Sequence, residues 1–201
     1  MSSEDEIFEY LATPENLPVA LEISDYVEQL KHNLHRKFWT TFNPRMEQKV
    51  KTSEFGSDWV FHPHPARRYR SEWGKSYIGP VTLKGDKFPQ LVAAFGQSSR
   101  ASDFRFFWGV KWNFEPENFD NPTMTKLKAE LVARDMNIVE RDWPGWGKYK
   151  FSVFDSEFMI RMYQESEELI SEIVEDVWQL FTDLRPILEE INNSLRISNK
   201  K

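Results

Sequence analysis

Apolar side chains recur along the N-terminal part of the chain at steps of three and four. Val19, Ile23, Tyr26, Val27, Leu30, Leu34, Phe38 and Phe42 keep that rhythm, which puts them on one stripe of an α-helix. Pro18 stands where a first helical residue often does. Asn43-Pro44 predicts an end or a kink, with Arg45–Val50 resuming as a short helix. A shorter helix is expected over Glu4–Leu11, capped by Ser2 or Ser3 and interrupted at Thr13-Pro14. The rhythm then changes. Phe104, Phe106, Trp108, Val110, Trp112 and Phe114 alternate with Arg105, Phe107, Gly109, Lys111 and Asn113. Successive side chains of a strand face opposite ways, so the six bulky groups share one side. Asp58–Phe61, Ser76–Lys84 and Pro89–Gln97 read as further strands, the last two joined as a hairpin across Gly85-Asp86. Asn121-Pro122 opens a helix to Met136, and Asn137–Asp142 pairs with Lys148–Phe154 around Trp143-Pro144-Gly145-Trp146-Gly147. Asp155–Arg196 is helical, bent near Pro186, with a wide apolar stripe from Ile170 to Leu195.

This order predicts a single α+β domain. A mostly antiparallel sheet of about five to six strands is flanked on one face by long N- and C-terminal helices and a middle helix. Residues 1–52 form the N-terminal helical segment, 53–154 a β-rich middle with one helix, and 155–201 the long C-terminal helix.

Charge sharpens that division. The chain is −6 overall, but residues 62–111 carry 9 basic and 3 acidic side chains between two acidic flanks. Overall acidity opposes strong non-specific nucleic-acid binding, while a local basic patch still suits an anion. With no cysteine, disulfides, thiol nucleophiles and Cys-type metal sites are excluded. No apolar run is long enough to span a bilayer. The acidic start MSSEDEIFEY lacks the basic and apolar regions of a secretory signal, so a cytoplasmic protein with no membrane partner is expected.

Two groups of residues are candidates for binding. The basic stretch from His62 to Lys75 contains two prolines among its first four residues, which disfavours a central strand. Arg67, Arg68 and Arg70 could grip phosphate there, with Tyr69 and Trp73 stacking on a base. Arg105, Phe107 and Lys111, on the strand side away from the helices, extend the same nucleic-acid or anion surface. The other group serves a protein partner or a second copy. Trp143 and Trp146 flank a Pro-Gly turn, and Trp178 and Phe181 lie on the C-terminal helix; tryptophan is enriched at interface hot spots. About forty residues of helix reach about 60 Å, more than a small sheet covers, so that helix is expected to have apolar surface to spare.

Chemistry is harder to find. There is no G-x-S-x-G, no G-x-x-x-x-G-K-[ST], no G-x-G-x-x-G and no H-E-x-x-H. His32/His35 and His62/His64 have pair spacings alone, and no spacing joins Asp58, Glu72, Asp86 and Asp103 into an acid–base or metal set. No catalytic residue, metal or cofactor is therefore assigned, and a binding or adaptor protein is the expectation. The chain also resembles an uncharacterised bacterial domain found C-terminal to PD-(D/E)xK-nuclease-like regions. The likeness rests on Phe38-Trp39, Asp58-Trp59, Phe107-Trp108-Gly109-Val110, Trp178 and Phe181-x-x-Leu184-Arg185-Pro186, over residues 34–195. It implies an accessory, nucleic-acid-linked role in a bacterial or phage system and supplies no functional residues. The order of elements and the acidity also resemble small dimeric secretion chaperones, at the level of fold alone.

Overall fold

The computed structural model describes residues 3–64, 74–81, 90–97, 105–113, 122–138, 143–152 and 155–198. Five strands form one antiparallel meander in chain order: β1 (Trp59–His62), β2 (Gly74–Pro80), β3 (Leu91–Gln97), β4 (Arg105–Trp112) and β5 (Gly145–Ser152). The register runs Phe61↔Ile78, Ile78↔Ala93, Ala93↔Val110 and Val110↔Gly145. The alternation predicted for β4 holds: Phe106, Val110 and Trp112 are buried, with Trp108 packed against the same core. Phe104 and Phe114 lie outside the described residues. In the first arm of the expected last hairpin, Asn137 exchanges backbone hydrogen bonds with Trp146 at 2.7 and 2.9 Å, and residues 139–142 lie outside the described residues. β4 and β5 run so close at Gly109 that a Cβ there would stand 2.3 Å from the Gly145 carbonyl oxygen, which accounts for glycine at that position.

Around the sheet stand α1 (Ser3–Leu11), α2 (Leu17–Thr52), α3 (Pro122–Val132), α4 (Ser156–Gln164) and α5 (Ser166–Ser198). Two boundaries differ from the sequence reading. Pro44 does not end α2, which passes through it without a break. The lost N–H is tolerated because the neighbouring turns are pinned from both sides: Phe42 and Met46 are fully buried, and Asn43 donates to the His64 carbonyl at 2.8 Å. The C-terminal helix, by contrast, is two helices. Glu165 leaves the helical region at φ −138°, ψ 44°, and Asp155 caps α4 by accepting from the Glu157 N–H at 2.9 Å. α5 itself continues through Pro186.

One apolar core lies between the sheet and the helices. Phe38, Trp39, Phe42, Met46 and Val50 of α2 meet Phe95 and Phe106 of the sheet and Phe158 of α4. α5 contributes a continuous buried stripe from Leu169 to Leu195, and α3 adds Leu127 and Leu131. Ion pairs Arg45–Glu167 and Lys49–Glu175 tie α2 to α5 along their exposed edges. α5 is tied to the sheet from the inside. Asn192, buried, accepts from the Leu91 N–H at 2.8 Å and donates to the Leu91 carbonyl at 3.0 Å. The β2–β3 pairing ends at Ile78↔Ala93, two residues short of Leu91, so a side-chain amide satisfies the Leu91 backbone where the ladder does not reach.

Candidate functional site

The sheet face turned away from the helices carries the described part of the predicted anion surface. Arg105 is exposed at the start of β4. Phe107 is buried, with Trp143 edge-on to it at 5.3 Å. Lys111 lies with its Nζ 6.0 Å from the Tyr77 ring, and His62 stacks on that ring at 4.4 Å. A buried Phe107 cannot stack on a base while Trp143 covers it. Arg67, Arg68, Tyr69, Arg70 and Trp73 lie outside the described residues. Lys150, on the edge strand, turns to Glu172 and Asp176 of α5 instead, and its bond to Glu172 holds that carboxyl below the usual carboxylate range. Burial pushes the Tyr149 hydroxyl pKa up, aided by its 2.6 Å hydrogen bond to Asp176. This is a satisfied network at a sheet edge. Among the described residues no three His, Asp or Glu side chains come together to hold a metal ion.

The four aromatic residues expected to anchor a partner belong to the body of the domain. Trp146 lies inside β5, opposite Gly109, and not at the tip of a turn. Trp143 packs on Phe107. Trp178 stacks on Phe55 at 5.5 Å under the Lys49 ammonium. Phe181 is fully buried against Phe55 and Trp59. The apolar stripe of α5 is likewise used up by the sheet and by α2, α3 and α4.

Two buried histidines, His35 and His64, gather with Gln97 and Trp39 inside the core. The Gln97 amide oxygen lies 3.2 Å from Trp39 Nε1 and 2.8 Å from His35 Nε2. An indole N–H only donates, which identifies the amide atom as oxygen and puts the His35 proton on Nε2. His64 stacks face to face on Trp39 at 4.0 Å. Burial lowers the His35 pKa from 6.5 to about 4, against the Gln97 hydrogen bond that favours the charged form. The imidazole is therefore neutral at pH 7.

The surface that stands out is elsewhere, on the N-terminal helices. No residue of α1 is buried, and none of α2 before Leu34. Eleven large apolar side chains of residues 3–30 are 39–74% exposed, among them Phe8, Tyr10, Leu21, Ile23 and Tyr26. The stripe predicted from Val19 to Phe42 is thus divided. Leu34, Phe38 and Phe42 build the core, while Val19, Ile23, Tyr26, Val27 and Leu30 face outward on an arm. From Leu17 to Asn33 that part of α2 runs about 25 Å at the standard rise. Its polar positions are acidic: residues 3–28 hold eight Asp and Glu side chains and no Lys or Arg. Periodicity could not reveal the division, because a helix facing a core and one facing a partner show the same stripe. Helix length could have: a 36-residue α2 is about 54 Å long, and five strands about 4.8 Å apart span only about 19 Å from first to last.

No protein-family model matches the chain, and no curated protein and no solved structure is similar to it. The functional reading therefore rests on the geometry of this molecule.

Proposed function

We propose that this protein is a binding module whose working surface is the arm formed by α1 and the first half of α2. One observation carries the reading: eleven large apolar side chains, 39–74% exposed, on helices that bury no residue before Leu34. A monomer seldom exposes an apolar patch of more than a few hundred Å² without a use for it. An amphipathic helix offers its stripe at three- and four-residue steps, a common way for proteins to dock on one another. The body serves as the mount, holding α2 by its C-terminal half.

The test is site-specific photo-crosslinking in cells expressing the full chain. A photoreactive residue at Ile23 or Tyr26 is expected to give discrete protein adducts, and one at Glu168 on α5 none. Equal or no adducts from the arm would sink the reading. The accessory nucleic-acid role is favoured by the basic segment 62–111. It predicts binding of labelled DNA or RNA that weakens steeply with salt and is lost in an Arg67→Ala/Arg68→Ala/Arg70→Ala variant.

A further inference from the structure

We infer that the partner of the arm is a basic protein, one that takes the stripe of α2 into an apolar groove bordered by Lys and Arg side chains. The inference rests on the arm being a docking surface and names the chemistry of what docks there. Charge decides it. Residues 3–28 carry eight acidic side chains and no Lys or Arg. Among the described residues, Glu4, Glu6, Glu9, Glu15, Glu22 and Asp25 are exposed and enter no ion pair. The body treats its carboxylates differently: Glu167, Glu172, Glu175 and Glu189 of α5 each meet a Lys or Arg of the same chain. The arm therefore sets six carboxylates among exposed apolar side chains and answers none of them from within. Anionic lipid headgroups and nucleic-acid backbones are repelled by such a surface, and a basic protein is drawn to it.

The stripe has the form that a groove accepts. Val19, Ile23, Tyr26, Val27 and Leu30 are 39–61% exposed, and at about 100° per residue they fall within about 100° of the helix surface. Their steps of three and four are those of a helix held by its anchors in an apolar groove. Leu17 and Leu21 lie on the other side of α2 and take no part. On the same projection Glu22 stands about 40° beyond the edge of the stripe and Asp25 about 100° beyond it. A helix with its side chains is about 10–12 Å across, little more than the Debye length of about 8 Å at physiological salt. The carboxylates therefore act together on whatever approaches the stripe. Their field governs how fast the partner arrives, and the apolar contact governs how long it stays.

The test uses the full chain with benzoylphenylalanine at position 23. The protein it crosslinks in cells, and the peptide joined to it, are identified by mass spectrometry. That protein is then purified, and its association and dissociation with the native chain are timed at low, physiological and high salt. Two variants are compared: Glu22→Lys/Asp25→Lys, and Ile23→Ser/Leu30→Ser. The joined peptide is expected to lie in an apolar groove flanked by Lys and Arg. The native association rate should fall at least ~10-fold from low to high salt, and the charge-reversed chain should associate at least ~10-fold more slowly at low salt. The apolar variant should associate at the native rate and dissociate faster. Circular dichroism melts that match the native chain exclude unfolding, since all four positions are exposed. A crosslinked surface that is acidic or uncharged, an association rate indifferent to salt and to charge reversal, or an adduct joining two copies of this chain would overturn the inference while leaving the arm as a docking surface intact. The absence of any adduct would remove that reading, and the inference with it.

Discussion

Asn192 shows how one side chain can decide whether two elements stay together. Its amide satisfies both backbone groups of Leu91, beyond the end of the β2–β3 pairing at Ile78↔Ala93. Asn192→Leu keeps the volume but orphans a buried donor and acceptor, and should cost about 2–4 kcal/mol in urea unfolding. His35 makes a second prediction. Its pKa is about 4 in the folded protein against an ordinary 6.5, so the unfolded chain takes up the proton first. The stabilisation is complete above about pH 6.5 and is lost as pH falls towards 4, by up to about 3 kcal/mol. Urea midpoints at pH 7 and pH 5 should differ in the native chain and differ less in His35→Gln. Neither residue was legible in the sequence. A lone asparagine in a helical stripe and a histidine near Trp39 take their meaning from partners 101 and 62 residues away.

At the scale of elements, the two long helices carry similar stripes and have opposite fates. Ile170 to Leu195 vanishes into the core because α5 is covered by the sheet on one side and by three helices on the others. The stripe of α2 enters the core only from Leu34 onward, and the part before Leu34 is exposed. Surplus apolar surface was expected on the C-terminal helix and lies on the N-terminal one, since a stripe does not say how much of it the sheet will reach. The strands, the antiparallel order and the Phe106/Val110/Trp112 face were legible because alternation is local. Truncation separates the two roles: Phe38→Ala should cost about 3–5 kcal/mol of stability, and Ile23→Ala within about 0.5 kcal/mol at concentrations where the chain is monomeric. Chemical denaturation of both at low protein concentration checks this.

Taken whole, the molecule is a packed α+β body from which one helix emerges, and the same helix is both anchor and arm. Residues 19–43 of α2 contain no glycine or proline, so nothing between docking stripe and core works as a hinge. Little ordering entropy is then lost when the arm is engaged. A rigid rod also has a phase. One residue inserted after Asn33 would turn the stripe about 100° around the axis relative to the body while moving it only about 1.5 Å. Seven inserted residues would return it nearly to its original azimuth, about 10 Å further out. The arm thus behaves as a ruler whose graduations are helical turns, reading angle as well as length.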